Sequence, residues 1–222
     1  MLLHETSNFQ IHVYKLGQLR TNTYLVIDQN TQNAFLIDPA DDGDFLSEEI
    51  LNLNTHLLNI ILTHGHFDHV GGLLPLKLNF NPPIFLHPAD QKIYGNANDS
   101  AKYWGVDHLD PTPPIDQSLA DGQTLDLTQN PQLTWQVIHT PGHTPGCISL
   151  YQPDEKLLFS GDTLFFQTIG RTDFSYASPT KMKTSLQTLF QLPPQTIVFA
   201  GHGRPTTLEL ELPNLPTFLQ QL

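Results

Sequence analysis

Four potential metal ligands stand within six positions in His64-Gly65-His66-Phe67-Asp68-His69, directly after Leu58, Ile60, Ile61 and Leu62 and just before Gly71-Gly72. In an extended segment, side chains two apart share a side, so His64 and His66 can grip one ion together. Asp68 and His69 then face another direction and point to a second ion. Paired ions about 3.5 to 4 Å apart are a common hydrolytic device. Two ions need more donors than this hexad holds, because zinc takes about four and a catalytic site keeps one place for water. The candidates elsewhere are His143 in Thr140-Pro141-Gly142-His143-Thr144-Pro145-Gly146, Asp162 in Ser160-Gly161-Asp162-Thr163, and His202 in Gly201-His202-Gly203.

Each candidate follows a strand-like apolar run and sits among glycines. The runs are Leu133 to Ile138, Leu157 to Phe159 and Ile197 to Phe199, with Leu58 to Leu62 serving the hexad. Strand ends that open into loops let a rigid sheet present side chains to one pocket. Further strands are expected at Ile11 to Leu16, Thr23 to Ile27 and Ala34 to Ile37, an antiparallel meander, and near Ile84 to Leu86, Thr124 to Leu127 and Ile148 to Tyr151. A helix is expected after Asp41 or Asp42 as cap, with Leu46, Ile50 and Leu53 as its apolar stripe. A second follows Ser178 and Pro179, with Met182, Leu186, Leu189 and Phe190 making one face. Residues 95–118, polar and Pro-rich with Tyr103 and Trp104, read as a long excursion that walls the pocket.

The length of 222 residues, without repeat or linker, fits one domain over 1–222. Ten Lys plus Arg against 22 Asp plus Glu give a formal charge of −12. That balance argues against nucleic acid, whose binding draws on phosphate neutralisation by basic residues. Divalent cations reverse the charge locally and can still attract a small anion. No stretch approaches the roughly 18 apolar residues of a membrane span, and the start lacks a basic region followed by an apolar core, so a cytoplasmic location is expected. The single cysteine, Cys147, excludes an internal disulfide framework and reads as a small buried hydrophobe. Closed structural zinc sites generally use Cys-rich sets, so this ligand list favours catalysis. His139, four residues before His143, is placed for hydrogen bonding within the scaffold.

The ordered motifs HxHxDH, GHTPG, SGDT and GHG, spread over residues 11 to 205, closely resemble the metallo-β-lactamase superfamily. Gly161-Asp162-Thr163-Leu164-Phe165 and the later Gly170-Arg171-Thr172-Asp173-Phe174 resemble its small hydroxyacylglutathione hydrolase (glyoxalase II)-like branch and the persulfide dioxygenases. The resemblance implies an α+β fold, a four-layer αββα sandwich of two mixed sheets flanked by helices. It also implies that His64, His66 and His143 hold one metal, that Asp68, His69 and His202 hold another, and that Asp162 bridges them. The metals would be two divalent ions, zinc first, with iron and manganese compatible with the same donors. Asp68 would in addition orient the nucleophile.

The activity so implied is hydrolysis of a small thioester such as S-lactoylglutathione through a hydroxide bridging the metals. A thiolate, with a thiol pKa near 8.5, leaves without a general acid. Arg171 is the candidate for binding a substrate carboxylate, since a basic residue near this position contacts glutathione in the resembled hydrolases. Its alternative is a buried pair with Asp173. Only 20 residues follow His202, so the helical C-terminal domain of full-length glutathione hydrolases is not expected. Lactone or β-lactam hydrolysis uses the same attack. A mononuclear iron dioxygenase would use His64, His66, His143 and Asp162 with open positions for oxygen. A nuclease conflicts with the charge, and a non-catalytic module need not keep every ligand.

Overall fold

The computed structural model describes residues 1–222. Its first sheet is laid down in chain order, β1 (Leu2–Glu5), β2 (Phe9–Leu16), β3 (Thr21–Asp28), β4 (Asn33–Ile37), β5 (His56–Ile61), β6 (Ile84–Leu86) and β7 (Gln117–Ser118). Strands β2 to β4 form the expected antiparallel meander, and β1 extends it at the edge. From β4 onward the pairing is parallel, which requires a crossover between strands. Helices α1 (Gly43–Asn52) and α2 (Leu73–Phe80) supply the first two crossovers.

The second sheet contains β8 (Thr124–Leu125), β9 (Trp135–His139), β10 (Ile148–Gln152), β11 (Leu157–Gly161), β14 (Ile197–Ala200) and β15 (Thr206–Thr207), in the spatial order β15-β14-β11-β10-β9-β8. Strands β12 (Leu164–Phe165) and β13 (Thr168–Ile169) make a small separate hairpin. The crossover between parallel β11 and β14 carries α5 (Pro179–Leu189).

Alternation along the strands explains the layers. Tyr24 and Val26 of β3 join Phe35, Ile37, Trp135, Leu150 and Phe159 in a core between the sheets. Their neighbours Leu25 and Ile27 turn outward onto Leu46 and Ile50 of α1 and Leu73 and Leu76 of α2. On the far face Leu158 and Val198 pack against Met182, Leu186 and Leu189 of α5. The result is helices, sheet, sheet, helices, the αββα sandwich.

Asp42 caps α1, its side chain accepting from the Phe45 N–H at 3.2 Å, and Ser178 caps α5, with Pro179 opening the helix. Leu53 falls just past the end of α1 rather than on its stripe. Thr124 to Leu127 shortens to a two-residue strand. The expected excursion at 95–118 contains a helix, α4 (Ala97–Tyr103), after the short α3 (Gln91–Gly95). Its buried residues are only Ala97 and Ala101, an i, i+4 pair too small to give a visible apolar period. Short helices α6 (Leu208–Glu211) and α7 (Leu215–Gln220) close the chain, with Phe218 buried against the α5 layer. No helix is long and apolar enough to cross a membrane.

Candidate metal centre

The C-terminal ends of β4, β5, β11 and β14 open on one rim of the sandwich, and the loops after them carry Asp38, the hexad, Asp162 and His202. The loop after β9 brings His143. All seven ligand candidates meet there. His66 Nδ1 lies 3.0 Å from both His64 Nε2 and His143 Nε2, so three imidazole nitrogens converge on one point. Asp68, His69 and His202 form a second triad, with Asp68 Oδ2 at 3.5 Å from His69 Nε2 and 3.4 Å from His202 Nε2. The Asp162 carboxylate stands between them, 3.5 Å from His143 Nε2 and 3.6 Å from both His69 Nε2 and His202 Nε2.

Hydrogen bonds behind the rings fix which nitrogen faces the centre. The Arg171 carbonyl can only accept, so its 2.9 Å contact places the proton of His143 on Nδ1 and leaves Nε2 bare. Asp38 Oδ2 accepts from Thr63 Oγ1 at 2.6 Å and from His69 Nδ1 at 2.9 Å. Thr63 Oγ1, its own proton committed, accepts from His64 Nδ1 at 3.1 Å. One carboxylate thereby orients a ligand candidate in each triad, directly in one case and through a hydroxyl in the other. On the outer side His66 Nε2 meets the Tyr176 hydroxyl at 2.7 Å.

The loops are tied to one another as well as to their strands. Asp90, fully buried, accepts from Gly65 N at 2.9 Å, Thr144 Oγ1 at 2.7 Å and Gly146 N at 2.6 Å, clamping the hexad loop to the His143 loop. Asn22 of β3 donates to the carbonyls of Ala200 at 2.9 Å and Gly203 at 3.2 Å, bracketing His202. Thr21 Oγ1 donates to Asp68 Oδ2 at 2.8 Å. A Cβ on Gly201 would collide with the Asp162 carboxylate and crowd the His69 ring, which explains glycine before His202.

Electrostatically the two triads differ. Burial, reinforced by the neighbouring imidazoles, keeps His64 well below its ordinary value and His66 down at about 3, so both are neutral donors. Burial also opposes charge on His69 and His202. There Asp68, Asp162 and, for His69, Asp38 prevail, raising His202 and lifting His69 to about 10. Burial would raise the Asp68 carboxyl, but His69, His202 and Thr21 outweigh it and hold it well below the ordinary carboxylate range.

The donor set fits metal ions. His69 Nε2 and Asp162 Oδ1 are buried with no hydrogen-bond partner, although both face the centre. Such orphaned atoms are costly unless a ligand satisfies them.

A cavity of about 400 Å³ opens over the centre and is walled by Trp104, Phe165, Phe174 and Tyr176. Arg171 lines it too, but differs from the buried pair expected as one alternative. Its contact with Asp173 is bidentate, at 2.9 and 2.8 Å, and exposed, with 56% of the Arg171 side chain open. The guanidinium lies 4.6 Å from the Phe174 ring centroid. Trp104, from the 95–118 segment, forms part of the wall as anticipated. His139 donates from Nε2 to the Pro145 carbonyl at 2.9 Å and stacks on His87 at 4.2 Å, away from the ligand set. Cys147 is buried. Asp38, Asn22, Asp90 and Tyr176 escaped the sequence reading. Asp38 alone left a signal there, standing like the ligands just after an apolar strand run.

The family model for the metallo-β-lactamase superfamily matches residues 16–202. The Haemophilus influenzae hydroxyacylglutathione hydrolase GloC is 32% identical over 203 residues, covering 90% of this chain and 94% of that protein. Among solved structures, the BLEG-1 B3 metallo-β-lactamase superposes with a TM-score of 0.85 and 33% identity, over 94% of this chain and 99% of that one. TTHA1623 in a di-iron-bound form gives a TM-score of 0.82 and 39% identity, over 90% and 96% of the two chains. With the fold, the ordered motifs and these matches in agreement, the chain belongs to the metallo-β-lactamase superfamily.

Proposed function

We propose that this protein is a dinuclear metal-dependent hydrolase whose substrates are small thioesters of the S-lactoylglutathione type. The observation that carries the reading is the convergence of two donor triads on one carboxylate, with His69 Nε2 and Asp162 Oδ1 buried and unpartnered between them. His64, His66 and His143 would hold one ion, and Asp68, His69 and His202 a second, with Asp162 shared. Zinc, iron or manganese suits these donors, and the di-iron form of TTHA1623 supports a paired site. Likeness to GloC supports the thioester class.

Bound metal ions supply water ionised near pH 7 and polarise an acyl carbonyl. The chain's own residues do the rest. Asp68, its Oδ2 held by Thr21, orients the attacking water. The aromatic wall of Trp104, Phe165 and Phe174 excludes solvent and seats the acyl and thiol arms. A thiolate departs without protonation, so no separate acid is required. Arg171, with one edge committed to Asp173, has its remaining N–H groups for a substrate carboxylate.

The test is elemental analysis of the purified protein together with a panel of S-lactoylglutathione, a lactone, nitrocefin and glutathione persulfide. Two metals per chain and thioester turnover are expected. His66→Ala or Asp162→Ala should cost about a hundredfold or more, the scale of several kcal/mol of metal stabilisation. A fully loaded protein that leaves every thioester intact, or one that holds a single iron and consumes oxygen with the persulfide, refutes the proposal.

A further inference from the structure

Beside the cavity over the candidate metal centre lies a second one of about 400 Å³, and His66, Phe67, Ser100 and Tyr176 line both. Its polar lining is rich in donors. Lys92, Asn96, Ser100 and Ser175 contribute N–H and O–H groups, while no aspartate or glutamate faces it. In a chain of formal charge −12 with 22 acidic residues, a cavity that holds a lysine and excludes carboxylates is a departure.

Lys92 is also uncommitted. The ion pairs made by lysine and arginine are Lys77 with Asp116 and Arg171 with Asp173, so the cation of the neighbouring cavity is matched and this one is not. Tyr176 adds a directed donor at the shared wall. For His66 to turn a bare Nδ1 toward the centre, its Nε2–H must donate to the Tyr176 oxygen, which leaves the phenolic proton free for something else.

We propose that this second cavity is an anion subsite, taking on Lys92 Nζ a carboxylate carried by one arm of the thioester, while the scissile carbonyl lies across the His66 and Tyr176 wall. The proposal rests on the hydrolase reading for the identity of the ligand, but its test does not need turnover. S-methylglutathione, a thioether with two carboxylates and no scissile bond, is titrated calorimetrically into the zinc-loaded protein, and its diethyl ester, which has the same skeleton without a carboxylate, serves as the control. Lys92→Gln should weaken binding of the thioether about threefold to tenfold, the range for a charge-assisted contact in a partly hydrated cavity. Lys92→Arg should stay within about twofold of wild type, and the diethyl ester should not distinguish the three proteins.

Because Lys92 is exposed, neither substitution disturbs the core. A wild-type protein that does not bind S-methylglutathione overturns the subsite, as does a Kd unchanged in Lys92→Gln or an equal loss for the diethyl ester. Absence of thioester turnover would refute the hydrolase reading separately, with the Kd comparison still deciding the subsite.

Discussion

Replacing Asp38 by asparagine should weaken metal binding at one triad and spare the other. Asp38 is 1% exposed and accepts three hydrogen bonds, from Thr63 N at 2.7 Å, Thr63 Oγ1 at 2.6 Å and His69 Nδ1 at 2.9 Å. Asparagine has the same shape and tolerates the φ of 50° found there, so the backbone is not in question. Its Oδ1 can still accept from Thr63 N. In place of Oδ2 it presents an NH₂ group to two donors. His69 can answer by moving its proton from Nδ1 to Nε2, the atom that faces Asp68 and Asp162 at 3.5 and 3.6 Å, and in that tautomer it has no lone pair for a metal. Thr63 Oγ1 has two lone pairs, one for the new NH₂ and one for His64 Nδ1, so the first triad keeps its tautomers.

The expected loss at the second triad is about 10- to 100-fold in affinity, the usual effect of removing the partner that orients a metal-binding histidine, or about 1.4 to 2.7 kcal/mol. The Thr63 hydroxyl proton, left without an acceptor, costs about 1 to 3 kcal/mol, a fall of roughly 2 to 12 °C in Tm for a chain of this size. Chelator-competition titrations with zinc would read the two affinities separately. Two equivalents bound as in wild type would refute this account of Asp38. Weakening of the first equivalent alone would refute the assignment of tautomers.

Asp90→Ala should destabilise the protein by about 3 to 5 kcal/mol in urea denaturation, because three buried donors on two loops lose their acceptor together. Gly201→Ala should bind fewer than two metals while keeping its far-ultraviolet circular dichroism, since the added methyl displaces Asp162 rather than a core strand. The metal-free protein has a folded His69 pKa of about 10 against 6.5 unfolded, so that group's stabilisation is full below pH 6.5 and disappears as pH rises to about 10. Metal entering the second triad at pH 7 must then displace at least one proton, whereas neutral His64 and His66 release none. Calorimetry in buffers of different ionisation enthalpy should show more proton release with the equivalent that enters the second triad than with the other.

What could be read from the sequence was whatever carries a local period or a local spacing. The hexad, the glycine-flanked His143, Asp162 and His202, and the strands that deliver them are short-range patterns, and the structure brings all seven side chains to one rim. The cap at Ser178, and a cap at Asp41 or Asp42 that the structure places on Asp42, were legible for the same reason. Helix α4 was not, because two alanines bury it. Helix α2 hid inside an apolar run without alternation, LLPLKLNF. Asn22 and Asp90 were invisible, and Asp38 showed only as one more aspartate after an apolar run, for a different reason. Each acts on loops far away in the chain, 178 residues in the case of Asn22 and Ala200, and nothing in its neighbours marks the partner. Arg171 was legible as a candidate, yet whether its pair with Asp173 is buried depends on solvent access that no spacing encodes.

That long-range support bears on why the centre is built from loops at all. Loops are ordinarily the mobile parts of a domain, and a paired metal site tolerates displacements of only about half an ångström. Here three of the four ligand-bearing loops, those of the hexad, His143 and His202, are fixed twice, once by the strand before them and once by a buried polar residue from elsewhere. Asp38 fixes Thr63 and His69, Asp90 fixes Gly65 and Gly146, and Asn22 fixes Ala200 and Gly203. Two of these three are carboxylates accepting backbone N–H groups, contacts stronger than neutral hydrogen bonds. Of the cavity wall only the β12–β13 hairpin is held in this way, the buried Glu211 accepting from Gln167 N at 3.0 Å. Phe174, Arg171 and Trp104 pack on one another at the mouth of the cavity, so the wall that meets the substrate can change while the metal frame stays fixed. Substitutions in that wall should therefore alter KM for the proposed substrates with little effect on metal content, the reverse of what is expected of the three buried residues.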